Sequence, residues 1–128
     1  VRVPLASGLL TGKYTKDTTF SKGDHRTFNR NGEAFDKGET FSGVDFELGL
    51  QAVEELKTAF PDQNIAQIAL RWILMFDAVS TVIPGASKAS HIVSNAEAAN
   101  LQPLTTEQME KVEHIYTTYI KNPVHYLW

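Results

Sequence analysis

The chain has no cysteine. Disulfide bonds and thiolate metal ligands are therefore excluded. No apolar run approaches the roughly 18 residues of a membrane-spanning helix. The N-terminal residues lack the charged and apolar segments of a secretory signal. An excess of positive charge is also missing: 12 Lys and Arg stand against 15 Asp and Glu, a formal net charge of −3. That balance argues against a general nucleic-acid binder and leaves room for a few local basic residues to meet a phosphate. The four histidines, His25, His91, His114 and His125, show no metal-ligand spacing, so no metal site is expected. Repeats and low-complexity segments are absent as well. The expectation is a soluble, cytoplasmic protein with no nucleic-acid or membrane partner.

What is present is an ordinary globular balance, 42% hydrophobic and 21% charged residues in 128. That length suits one domain, residues 1–128. The most informative stretch runs from Val79 to Asn95. It reads as a short buried strand, a Pro84-Gly85 turn, and the first turns of a helix over about 88–98. A strand feeding a helix N-terminus makes an anion site, because the first N–H groups lack internal partners and the helix dipole is positive there. Ser87, His91 and Asn95 fall four residues apart and form a polar stripe starting at that end. Ile92, Ala96 and Ala99 form a neighbouring apolar stripe, expected to face a core.

Val1, Val3 and Leu5 alternate as in a strand. No partner strand precedes it, which suggests that the polypeptide begins elsewhere. Pro4-Leu5-Ala6-Ser7-Gly8-Leu9-Leu10-Thr11-Gly12-Lys13 follows, with two glycines that let backbone approach a ligand. It is not a P-loop: only three residues separate Gly8 from Gly12, and Tyr14 stands where Ser or Thr is required. Residues 14–43 are polar and Gly-rich without a sustained period, longer than an ordinary connection. Phe20, Phe28, Phe35 and Phe41 point to partial packing, and Lys22, His25, Arg26 and Arg30 make the segment basic. Asp24 beside His25 reads as loop surface. A helix over 45–60 is expected from Asp45, Gly49, Val53, Leu56, Phe60 and the following Pro61. A second starts at Asn64 with a capping-box partner at Gln67; Trp72 and Phe76 lie on one of its faces. A last helix starts at Thr105 with Gln108 as capping-box partner and a Leu104–Met109 staple. Tyr116 and Tyr119 share its packing face, and the tail His125-Tyr126-Leu127-Trp128 is apolar enough to dock.

With Pro4–Lys13 and Ile83-Pro84-Gly85-Ala86-Ser87 both in view, the chain resembles the C-terminal part of an aldo-keto reductase, of the type related to potassium-channel β subunits. The resemblance covers essentially the whole chain, since the elements between the two motifs occur in the family's order. It implies an α/β fold: a C-terminal fragment of a (β/α)8 TIM barrel, mostly helical by residue count, with two short parallel strands, the barrel's seventh and eighth. It also implies NADP(H) as cofactor. Arg2, Pro4, Leu5, Ala6, Gly8, Leu9, Gly12 and Lys13 would lie on the nicotinamide and pyrophosphate side. Gly85, Ser87, His91 and Asn95 would hold the 2′-phosphate and adenine. Residues 14–43 would be a lid over the substrate.

Three positions depart from the family pattern. His91 replaces an Arg or Gln, and histidine, largely neutral near pH 7, clamps phosphate more weakly. Arg2 replaces an aromatic that stacks on nicotinamide, and Ser94 replaces a Glu. The family's catalytic Asp, Tyr, Lys and His lie in the first half of the barrel. Tyr14, Tyr116, Tyr119 and Tyr126 match none of them, so no catalytic residue is assigned. The reading is an NADP(H)-binding portion of a reductase of aldehydes or ketones, inactive alone. The alternative is a non-catalytic remnant that self-associates through exposed barrel edges or pairs with another chain.

Overall fold

Phe46, Leu50 and Val53 recur at helical spacing and make residues 46–59 the spine of the molecule. The computed structural model describes residues 1–127. In it the helices are α1 (His25–Phe28), α2 (Phe46–Ala59), α3 (Ile65–Ile73), α4 (Ala89–Glu97), α5 (Thr106–Ile115) and α6 (Lys121–Val124). Asp45 caps α2 by accepting the Leu48 N–H at 3.0 Å, and the chain leaves the helix at Phe60, just before Pro61. The N-terminal half of α2 packs into a cluster of Leu9, Phe41, Phe46, Leu50 and Val53. Its C-terminal end joins a second cluster built on Phe60, Ile65, Ile68 and Leu104. Gly49 sits mid-helix, where glycine is unfavourable by roughly 0.5–1 kcal/mol relative to alanine. A β-carbon there would lie 2.6 Å from Leu9 Cδ2, so glycine lets the Ala6–Thr11 turn seat on α2.

The ends of the later helices follow their capping residues. Asn64 accepts the N–H groups of Ala66 and Gln67, but the reciprocal half of the expected capping box is not made. The Gln67 amide instead donates to the Ser94 carbonyl at 2.8 Å and to Glu97, tying α3 to α4. At Thr105 both halves form: Thr105 N–H donates to Gln108 Oε1 and Gln108 N–H to Thr105 Oγ1. Leu104 and Met109 meet in the second cluster as a staple. After Ile115 the helix widens into a π turn over Tyr116–Ile120, then resumes as α6. Pro123 crowds the carbonyl four residues back, and the wide turn lies just there.

The 14–43 loop is packed in one half and exposed in the other. Phe20 and Phe41 join the first cluster, whereas Phe28 and Phe35 stay about 43–44% exposed and meet edge to face. Its organiser is Asn29, fully buried with Thr40. Asn29 Oδ1 accepts from the N–H groups of Ala34 (2.8 Å) and Phe35 (2.7 Å). Its Nδ2 reaches Thr40 Oγ1 and the Asp36 carbonyl, both at 3.4 Å.

Several expectations are corrected. The two strands shrink to one parallel bridge, Arg2 to Ile83. Val3 takes a φ of 52°, which turns the chain out of extended geometry, and a strand with a partner on one edge only has little to hold it straight. The expected Ile92, Ala96 and Ala99 stripe, on α4 and the turn just after it, does not enter a core: Ile92 is 63% exposed, and Ala96 and Ala99 are exposed. Trp72 packs on the second cluster and touches Phe76 edge to face, but Phe76 is largely exposed. In the tail, Tyr126 and Leu127 are exposed rather than docked, and Trp128 lies outside the described residues. Among the described residues no helix is long and apolar enough to cross a membrane.

Replacing Asn29 by alanine would leave two backbone donors without an acceptor. An Asn29→Ala chain should lose about 2–4 kcal/mol of stability in urea unfolding. An exposed control such as Asn31→Ala should change it by less than about 0.5 kcal/mol.

Candidate functional site

The backbone of the first glycine segment is bent into left-handed geometry. Ala6 (φ 47°), Ser7 (φ 56°), Gly8 (φ 90°) and Gly12 (φ 72°) all have positive φ. Non-glycine residues held this way cost on the order of 1–3 kcal/mol each and persist only where their surroundings fix them. Ser7 is fixed from every side. Its carbonyl accepts from Arg26 Nη1 at 3.2 Å and from Tyr14 Oη at 3.3 Å. Its hydroxyl donates to the Glu39 carbonyl at 3.3 Å and accepts the Phe41 N–H at 3.2 Å. Gly8 has to be glycine, since a β-carbon there would collide with the Tyr14 hydroxyl at 2.4 Å. The turn's shape is thus set by the loop that follows it.

Arg26 is the tie between them. Its guanidinium donates to both Asp24 carboxylate oxygens (2.8 and 2.5 Å) and to the Tyr14 hydroxyl, and it lies over the Phe20 ring at 4.5 Å. The hydrogen bonds from Arg26 hold the Asp24 carboxyl down at about 2, against an ordinary value of 3.8. The same pairing raises Arg26. A second tie, Arg2 to the Glu39 carboxylate at 2.7 Å, is largely exposed.

The second segment approaches from the other side. Ile83 N–H donates to the Val1 carbonyl at 3.0 Å, and the Val1 amine donates to the Thr81 carbonyl at 2.7 Å. This brings Gly85 and the start of α4 against the Ala6–Thr11 turn. Gly85 has no atom within 4 Å of where a β-carbon would be, so its backbone is open to the cleft. No side chain caps α4 at Lys88. Among the described residues nothing bonds the N–H groups of Ala89 or Ser90. The Ser87 hydroxyl and His91 Nδ1 sit 3.4 Å apart beside them.

Between the segments lies a cleft of about 850 Å³, inside the roughly 300–1,000 Å³ range of small-molecule and cofactor sites. Of the residues expected at a cofactor, Pro4, Leu5, Gly8, Gly85, Ser87 and His91 line it. Arg2 stands at its edge through Glu39, which is a lining residue. The others lie elsewhere. Ala6 packs on the first cluster and Leu9 is buried in it. Gly12 faces Lys57 and Ile65. Lys13 is exposed and does not line this cleft. Asn95 lines a separate groove with Leu70, Leu74, Val82, Ile92 and Ala96. The polar stripe is therefore split between two depressions: Ser87 and His91 line the cleft, and Asn95 lies where Gln67 ties α4 to α3.

Sequence reasoning missed Tyr14, Arg26, Phe35 and Glu39 as lining residues. For Tyr14, Arg26 and Phe35 the signal was present as the loop's basic and aromatic residues, without anything to say which of them turn inward; nothing in the sequence marked Glu39. Among the described residues no group of three His, Asp or Glu side chains could hold a metal.

The cleft thus has a glycine-bent backbone on one wall and an uncapped helix N-terminus on the other. The profile described as "Aldo/keto reductase family" matches residues 1–117, and the chain belongs to that family. It is 32% identical to L-glyceraldehyde 3-phosphate reductase of Escherichia coli K12, over 86% of this chain and 31% of that protein. It is 31% identical to a probable voltage-gated potassium channel subunit beta of Arabidopsis thaliana, over 96% of this chain and 36% of that protein. The solved structure of a glycerol dehydrogenase from Gluconobacter oxydans superposes with a TM-score of 0.71 at 31% identity, over 96% of this chain and 35% of that one. The fold is therefore part of an aldo-keto reductase (β/α)8 barrel, and the chain spans about a third of the length of these relatives.

Asp24 gives the site an acid limit. Its carboxyl falls on folding, so its stabilising contribution is complete above the unfolded value near 3.8 and is lost as pH falls through about 2. Thermal melting between pH 5 and 2 should show this loss in the parent. An Asp24→Asn chain should melt lower at pH 7, with a flatter decline over the acid window.

Proposed function

We propose that this chain is the NADP(H)-binding C-terminal portion of an aldo-keto reductase whose intact form reduces aldehydes or ketones. The observation that carries the reading is the shared cleft: two segments about eighty residues apart in sequence line one cavity of cofactor size. Its donor set suits a nucleotide phosphate. The open Gly85 backbone, the free N–H groups at α4, the Ser87 hydroxyl and His91 all stand on one wall. On the opposite wall, Pro4, Leu5 and Gly8 offer an apolar, closely approachable surface for a planar ring. When bound, the dihydronicotinamide supplies hydride. The residues present here grip and orient it, and the 14–43 loop shields it from water along one side. The group that protonates the carbonyl oxygen would come from the first half of the barrel. In the same reading Ala6, Leu9, Gly12 and Lys13 act through the backbone and shape of the turn, and Asn95 reaches adenine only if α4 rotates toward the cleft.

Titration of NADPH fluorescence by the purified chain tests this. NADPH should bind more tightly than NADH, because only NADPH carries the 2′-phosphate. Replacing His91 by arginine should widen that preference about tenfold, the effect of one charge-assisted hydrogen bond of ~1.4 kcal/mol. No binding of either nucleotide at millimolar concentration would instead favour the non-catalytic remnant. The chain alone should turn over no NADPH with an aromatic aldehyde; measurable turnover, free of host reductases, would contradict the assignment of catalysis to the missing half.

A further inference from the structure

His25, expected on the loop surface, is half-buried and lines the cleft. Asp24 caps α1 by accepting the Arg26 N–H at 2.9 Å, which fixes where His25 starts. Its ring Nδ1 lies 3.1 Å from the hydroxyl of Thr40, a fully buried residue. The proton between them can be placed by counting partners. Asn29 Oδ1 is taken by the N–H groups of Ala34 and Phe35, so the amide NH2 is the end that faces Thr40. Thr40 Oγ1 therefore accepts from Asn29 and has its own proton to give. Among the described residues His25 Nδ1 is the one acceptor that this hydroxyl meets. A buried hydroxyl left without an acceptor is costly. His25 Nδ1 is thus bare, and the neutral ring carries its proton on Nε2. With Nδ1 turned to Thr40, Nε2–H is left to the cleft, where among the described residues it has no partner.

The other polar side chains on that wall are already engaged within it. The Ser7 hydroxyl bonds the Glu39 carbonyl and the Phe41 N–H, Thr11 donates to the Gly8 carbonyl, and Tyr14 donates to the Ser7 carbonyl. The charges of Arg26 and Glu39 are met by Asp24 and Arg2. We infer that His25 Nε2–H is a ligand donor on the loop wall and that, in the cofactor reading on which this rests, it holds a pyrophosphate oxygen of the nucleotide. An anionic phosphate oxygen makes the stronger, charge-assisted kind of hydrogen bond. Position selects the pyrophosphate. The 2′-phosphate is matched by Ser87, His91 and the start of α4 on the opposite wall. Pro4, Leu5 and Gly8 suit a planar ring. The diphosphate links those two parts of the dinucleotide and meets His25 from between them. Asn29 is then a positioning residue: by orienting the Thr40 hydroxyl it sets the tautomer of His25.

Two substitutions separate binding from structure, because each keeps one end of the imidazole. In His25→Asn the amide oxygen takes the place of Nδ1, so Thr40 keeps its acceptor and the cleft loses its donor. In His25→Gln the longer amide reaches the place of Nε2, so the cleft keeps a donor and Thr40 loses its acceptor. Titration of the purified chains should show NADPH and NADH both bound about tenfold more weakly by His25→Asn, with thermal stability unchanged. Binding of 2′-AMP, which has the 2′-phosphate and no pyrophosphate, should stay the same by calorimetry. His25→Gln should bind both dinucleotides within about threefold of the parent while melting lower. At about pH 8 the imidazole nitrogen NMR shifts of the parent should report Nε2 protonated and Nδ1 bare. Unchanged dinucleotide affinity in His25→Asn overturns the inference. So does an equal loss of 2′-AMP binding, a loss in His25→Gln as large as in His25→Asn, or a proton found on Nδ1. Absence of any dinucleotide binding by the parent chain overturns the cofactor reading and this inference together, and is thereby told apart from a failure at His25 alone.

Discussion

The backbone pairing of Val1 with Thr81 and Ile83 joins residues about eighty positions apart, and the cleft exists because of it. It consists of two hydrogen bonds and one bridge, far less than a regular strand pair would offer. Yet it sets the two glycine-bearing turns side by side. Move Ile83 by one residue and its neighbours exchange faces. Gly85 and Ser87 would then turn away from the Ala6–Thr11 segment, and α4 would present its N-terminus to solvent instead of to the cavity.

Once the turns are adjacent, the long loop gives them their shape. Ser7 is bonded to both parts of that loop: its carbonyl accepts from Tyr14 and Arg26, and its hydroxyl donates to the Glu39 carbonyl and accepts the Phe41 N–H. The left-handed backbone at Ala6 and Ser7 would relax if these partners left. Loop and turn therefore behave as one rigid wall. That wall is anchored below by Phe20, Phe41 and Phe46. Its upper rim carries the Arg26–Asp24 pair and the exposed Arg2–Glu39 pair. The second of these is open to solvent and is screened by salt far more than the first.

Much of this was legible in the residues. The starts of α2, α3 and α5 follow from Asp45, Asn64 and Thr105, because a capping side chain acts over three or four residues and needs no tertiary context. The two segments that line the cleft stood out in the sequence through Gly8, Gly12, Pro84 and Gly85, residues that mark turns. What was not legible depends on neighbours. Gln67 fits a capping box equally well by spacing, but Ser94 and Glu97 compete for its amide. Ile92 reads as a core residue by periodicity, yet it lines an open groove and stays 63% exposed. The inward turn of Tyr14, Arg26 and Glu39 rests on the non-local bonds to Ser7 and Arg2, and no period in a polar loop encodes those. Asn29 looked like any loop asparagine, although it is the loop's most buried polar residue together with Thr40.

The bonds of Asn29 span only 5 to 11 positions, whereas Val1 and Thr81 are 80 apart. Closing the longer span costs about 2 kcal/mol more chain entropy than closing one of about seven residues. The loop can therefore take up its compact form from nearby sequence, before Val1 and Thr81 meet. One wall of the cleft is a locally folded unit, and the other is joined to it through contacts of high sequence separation, the kind that slow folding. The same asymmetry separates what partial unfolding would release. Breaking the Val1 bonds to Thr81 and Ile83 would part the two walls of the cleft and still leave the knot around Asn29 tied.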